Sequence, residues 1–208
     1  MEGVLNPEGR MNDTREQILN TALTLFSQNG FEAVSVSDIA GRLGITKGAL
    51  YKHFKNKRDI FDSILSRMEQ LYSQTCLSWT NCTDEYAAHA NTPPAVKAAL
   101  SFCVSCFSFW TEDEFASSFR KMLVLEQYRC AEMSRLHCGY LVSSPVEALT
   151  GLIRSFNVTG AAEKAFSLYS AIYFSFGIYD GAEDKLCTYF ILKESIERRC
   201  FDIFENAV

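Results

Sequence analysis

At 208 residues, with 48% apolar and 22% charged side chains and only 11 Gly and 4 Pro, the chain has the composition of a folded globular protein of one or two domains. That composition excludes disorder, collagen and low complexity, and the few Gly and Pro argue against a turn-rich strand sandwich. The net charge of -5 is uneven: residues 1–58 carry eight Lys/Arg against six Asp/Glu, and residues 59–208 carry twelve against nineteen.

The first predicted helix runs over 13–29, capped by Asp13 or Thr14, with Ile18, Leu19, Ala22, Leu23 and Phe26 at helical spacing and Gly30 as its stop. Ser35-Val36-Ser37-Asp38 is a capping box, so a second, short helix starts there, turns Ile39, Ala40 and Leu43 inward and ends at Gly44. Thr46 then caps a third helix over 47–54. Two short helices joined by so tight a turn make a helix-turn-helix.

The third helix buries Leu50 and Phe54, four residues apart, which turns Lys47, Gly48, Tyr51 and Lys52 away from the core. An ammonium, a phenol and a bare backbone on one face suit a nucleic-acid groove. Between Gly41 and Arg58, moreover, Arg42, Lys47, Lys52, Lys55, Lys57 and Arg58 meet no acidic residue. Such a run has the size of a phosphate-binding footprint, although a solvated face is the plainer reading of charge alone.

Farther along, a fourth helix is expected over 59–76, a loop over 80–94, and an almost wholly apolar fifth helix over 94–110. Beyond them come a long amphipathic helix over 112–138, a shorter one over 145–157, and a final pair over 161–179 and 184–206, punctuated by Gly139, Gly160 and Gly181. The longest uncharged stretch, 165–179, is too short to span a bilayer, so no transmembrane helix is expected. The first residues have neither a basic nor an apolar signal region, which points to a cytoplasmic protein with its eight Cys reduced.

The segment VSVSDIAGRLGITKGALYKHFKNKRDIF, residues 34–61, resembles the DNA-binding signature of the TetR family of transcriptional repressors. The likeness reaches from Asp13 to about Leu71. It implies an all-α homodimer with a three-helix DNA-binding domain over 12–58 and a larger effector-binding and dimerisation domain over 59–208. Position by position, it places DNA contacts on Ser35 and Ser37 of the second helix and on Thr46, Lys47, Gly48, Ala49, Tyr51, Lys52 and His53 of the recognition helix. Lys57 corresponds to the family's phosphate-binding Lys. Packing beside Phe54 is an equally good reading of His53.

The resemblance also implies an effector pocket in the aromatic-rich C-terminal part, for which Phe102, Phe107, Trp110, Phe119, Met122, Glu126 and Tyr173 are candidates. Glu126 shares a helix face with Phe115, Phe119 and Met122, where a carboxylate is costly unless it pairs with Arg129 or meets a ligand. No catalytic motif is present, the three His are scattered, and no cofactor or metal is expected. Cys103-Val104-Ser105-Cys106 leaves two alternatives open, a redox-responsive regulator and a helical thiol-dependent enzyme. Its aromatic neighbours favour inert core thiols. The expected partners are a double-stranded DNA operator, a small-molecule effector and a second copy held through the last two helices, with Leu186, Phe190, Ile196 and Phe204 as candidate contacts.

Overall fold

The structure, a computed structural model, describes residues 7–81 and 92–205. Its regular elements are all helical: α1 (Pro7–Asn29), α2 (Val36–Leu43), α3 (Lys47–Leu50), α4 (Lys57–Asn81), α5 (Pro94–Glu112), α6 (Glu114–Glu126), α7 (Ala131–Cys138), α8 (Ser144–Ser155), α9 (Ala161–Gly181) and α10 (Lys185–Glu205). The chain divides into two compact units. The first comprises residues up to Tyr72 together with Ser118–Ser134, and the second comprises Ser73–Ser117 with the residues from Arg135 onward.

In the first unit, α1 buries Ile18, Leu19, Ala22, Leu23 and Phe26, the apolar stripe that its spacing dictates. α2 adds Val36, Ile39 and Ala40, and the start of α4 adds Ile60, Phe61, Ile64 and Met68. Arg15 of α1 donates to Ser63 Oγ at 2.9 Å and lies 4.7 Å over the Phe54 ring, tying the end of the recognition segment to α1 and α4. Arg67 joins Glu16 and Asn20 on the same pair of helices. These links explain why the unit extends past residue 58: the first part of α4 is one wall of its core.

The second unit is built on α5, whose side chains from Ala98 to Val104 are all buried. Phe107 stacks on Phe176 of α9 and on Tyr189 of α10, and Trp79 of α4 meets Phe102 and Phe109 edge-on. Tyr169 donates its hydroxyl to Leu141 O at 2.8 Å, fixing α9 to the π-helical turn Gly139–Ser143. Lys164 donates to Ile203 O at 2.7 Å near the end of α10.

His137 is buried in this unit, with Nε2 3.0 Å from the Tyr173 hydroxyl. Burial holds its pKa below the ordinary 6.5, because the charged ring would lose its hydration. An unfolded chain therefore takes up a proton more readily than the folded one, so the stability due to the neutral ring is complete above pH 6.5 and is lost as pH falls through the lowered value. Melting measured at about pH 7.5 and about pH 5.5 should show a larger acid loss in the wild type than in His137→Gln. Equal losses in the two proteins would show that His137 does not drive the effect.

Several predicted boundaries move. α1 starts at Pro7 rather than residue 13, and α4 runs to Asn81. Most of the loop expected over 80–94 lies outside the described residues. The single helix expected over 112–138 is broken twice. Asp113 leaves the helical conformation and caps α6, its Oδ1 accepting from Ala116 N at 2.8 Å, and the chain turns again at 127–130 before α7. Gly139 opens the π-helical turn instead of ending a helix.

Candidate nucleic-acid interface

Two caps set the recognition segment. Asp38 N donates to Ser35 Oγ at 3.2 Å, while Ser35 N and Oγ donate to Asp38 Oδ2 at 2.7 and 2.6 Å. Hydrogen bonds from the Ser35 hydroxyl and then its amide hold the Asp38 carboxyl below its ordinary pKa of 3.8. α2 ends at Gly44 in the left-handed conformation, and two residues later Thr46 Oγ1 accepts from Ala49 N at 3.1 Å to start α3. The regular helix is only four residues long. Hydrogen bonds from Lys52 and His53 to carbonyls three residues back tighten it to Phe54, so the predicted eight-residue helix survives as one turn plus a tighter one.

Leu50 and Phe54 are buried as their spacing requires. Ser35, Ser37, Thr46, Lys47, Gly48, Tyr51 and Lys52 are exposed, and Ala49 and His53 are half-buried. Tyr51 keeps 46% of its surface open, its ring and hydroxyl turned away from the core. At Gly48 an added Cβ would meet nothing within the chain closer than Thr46 Oγ1, 3.9 Å away. The fold therefore has no need for glycine there, whereas a close external approach would.

The six clustered cations divide. Arg58 forms a two-pronged pair with Glu132, both distances 2.7 Å, and also donates to Asp62 at 2.7 Å. Lys57 Nζ donates to Phe31 O at 2.8 Å and Glu32 O at 3.3 Å and lies 4.4 Å over the Phe31 ring. It thus anchors the loop between α1 and α2, and one ammonium proton remains for another acceptor. No side-chain hydrogen bond or ion pair engages Arg42, Lys47, Lys52 or Lys55 among the described residues.

Glu126 is only 1% exposed, and its partner is one that no sequence pattern announces. Oε1 accepts from Phe31 N at 2.9 Å, with Arg129 Nη1 at 3.4 Å. The expected pairing with Arg129 exists, but the stronger bond runs to the α1–α2 loop, so this carboxylate is spent on structure. Phe119 and Met122 are fully buried in the same unit, and Phe102, Phe107 and Trp110 are fully buried in the other. Tyr173 is partly exposed and bonded to His137. A cavity of about 400 Å³ in the second unit is lined by other side chains, among them Trp79, Ser105, Phe109, Tyr189 and Lys193, and by none of the seven residues expected to form the pocket.

Cys103 and Cys106 lie in the core, where burial pushes both thiols well above the ordinary 9.0, and it pushes Cys200 up to about 12. Thiols held protonated are poor nucleophiles, so neither the redox nor the enzyme reading gains support. Among the described residues, no group of three or more His, Cys, Asp or Glu could hold a metal ion, and no helix is long and apolar enough to cross a membrane.

Residues 18–64 match the family model described as bacterial regulatory proteins, tetR family. This N-terminal segment is a TetR-family DNA-binding domain. The chain is 50% identical over 52 residues to the HTH-type transcriptional regulator AcrR of Shigella flexneri, covering 25% of this chain and 24% of that protein. It is 30% identical over 88 residues to the Transposon Tn10 TetC protein of Escherichia coli, covering 42% and 45%. The matched parts thus span less than half the length of these relatives. Over nearly the whole chain the fold resembles that of a regulatory protein in the tetR family from Rhodococcus, with a TM-score of 0.63 at 14% identity, covering 91% of this chain and 96% of that one. A gamma-butyrolactone receptor described as ArpA-like gives a TM-score of 0.57 at 17% identity, covering 91% and 98%. Within the matched residues, α2 and α3 form the helix-turn-helix.

Proposed function

We propose that the protein is a ligand-responsive transcriptional regulator, a repressor without enzymatic activity, that works in the cytoplasm. It binds a palindromic operator as a homodimer and is released by a small molecule bound in the second unit. One observation carries the DNA-binding part: a recognition turn pinned from below by Leu50 and Phe54 presents Lys47, Gly48, Tyr51 and Lys52 outward, with Arg42 and Lys55 in the same basic run. Lys47 and Tyr51 reach base edges or phosphates, Gly48 lets the duplex approach closely, and Thr46, Ala49 and His53 border the contact. Ser35 and Ser37 serve phosphates at the start of α2. Lys57 acts mainly by holding the α1–α2 loop and offers its remaining proton to a phosphate.

With an operator selected from a random duplex pool, Lys47→Ala and Tyr51→Ala should each weaken binding by about 1 to 3 kcal/mol while the melting temperature barely changes. The four uncommitted cations predict a salt slope of roughly -3 to -4 per protomer, reduced by about one unit in Lys52→Ala. Unchanged gel shifts in both Lys47→Ala and Tyr51→Ala would remove α3 from the interface.

A further inference from the structure

The cavity of the second unit has walls fixed before any ligand arrives. Trp79 is held edge-on to Phe109 at 5.6 Å, and Tyr189 is stacked on Phe107 with its hydroxyl 2.6 Å from Ser108 Oγ. The volume of about 400 Å³ is open on one side, and Tyr189 gives it its main aromatic surface, because Trp79 and Phe109, only 2% and 8% exposed, reach it by their edges. Tyr189 has little left to offer a ligand beyond its ring.

The polar groups of the cavity are unequal. Asp113 lies at the start of α6, where Oδ1 accepts from Ala116 N at 2.8 Å and the helix N-terminus offsets its charge. Lys193 has no such compensation: its ammonium makes no hydrogen bond, ion pair or ring contact among the described residues, and it makes none to Asp113. The Ser105 hydroxyl, one of the lining groups, is likewise uncommitted. One half-buried aromatic ring beside one uncompensated cation and one spare hydroxyl complements a small flat apolar body with an anionic head.

We propose that this cavity binds a small aromatic carboxylate, its ring against Tyr189 and the edges of Trp79 and Phe109 and its carboxylate on Lys193 Nζ and Ser105 Oγ. This deepens the reading of the second unit as effector-binding and rests on it. A charge-assisted hydrogen bond from Lys193 favours the acid over its neutral amide by about tenfold or more.

The test is calorimetric titration of the full chain with naphthoate, naphthamide and naphthylmethylammonium. Naphthoate should bind at least about tenfold more tightly than the other two. Lys193→Met, which keeps the apolar stem, should abolish the preference for acid over amide, and Lys193→Arg should retain it. Ser105→Ala should weaken the acid and leave the amide unchanged. Equal binding of all three probes, or a preference that survives in Lys193→Met, would overturn the proposal, as would no binding at millimolar probe. Gel shifts with the selected operator, run in parallel without probe, keep the two readings apart. Operator binding in a protein that ignores naphthoate sinks the cavity assignment alone, and a selective naphthoate site in a protein that binds no operator supports the cavity and sinks the regulator.

Discussion

Gly30→Ala should destabilise the protein by about 2 to 4 kcal/mol, measured by urea unfolding of the full chain. Gly30 ends α1 with φ at +86°, a conformation that costs a residue with a Cβ about 1 kcal/mol or more. Space is the larger difficulty. A Cβ at this position would overlap Glu126 Oε1 and stand 3.0 Å from Arg129 Nη1. The carboxylate would have to withdraw, giving up its 2.9 Å hydrogen bond from Phe31 N and leaving a partly buried donor unsatisfied, at about 1 to 3 kcal/mol.

Related variants separate the two costs. Glu126→Gln keeps an acceptor for Phe31 N and should cost less than about 1 kcal/mol, whereas Glu126→Ala should cost about 1 to 3 kcal/mol. With Glu126→Ala already in place, adding Gly30→Ala should cost only the strain, so the double variant falls short of the sum of the two singles. Faster hydrogen exchange at the Phe31 amide should accompany both single alanine variants. A neutral Gly30→Ala would mean that α6 does not hold the loop as described.

Phe190→Glu should convert a dimer into a monomer at micromolar concentration and weaken operator binding with it. α9 leaves Phe166, Phe174 and Ile178 exposed by 64%, 72% and 43%, and α10 leaves Leu186, Phe190 and Ile191 exposed by 68%, 57% and 61%. Monomers seldom leave so much large apolar surface on two successive helices open to water. Burying one such side chain is worth about 1.5 to 3 kcal/mol, and forcing a carboxylate into the same place costs more, so the dissociation constant should rise by about a hundredfold or more. Sedimentation across a concentration series measures it. A wild-type monomer at high micromolar concentration would remove both the dimer and the paired half-site reading of the operator. Of the four contacts expected from the apolar surface of the last two helices, Leu186 and Phe190 remain candidates. Ile196 does not, being 2% exposed and part of the intrachain core, and Phe204 is half-buried with the Lys164 ammonium 5.4 Å from its ring.

What could be read directly from the residues is what a helical turn or two decides. Ser35 and Asp38 cap each other across three residues, Gly44 and Thr46 end one helix and start the next, and Leu50 and Phe54 share a face. The helix-turn-helix and its outward side chains are therefore legible in sequence. The tertiary structure alone decided the features whose partners lie far along the chain. Glu126 finds Phe31 across 95 residues, Arg58 finds Glu132 across 74, and the cavity takes side chains from α4, α5 and α10. No Gly or Pro marks the break at 127–130, so local propensity could not foretell it. Which aromatics of the C-terminal part fill the core and which face solvent or the cavity was equally hidden, because helical period tells which residues share a side but not what that side meets.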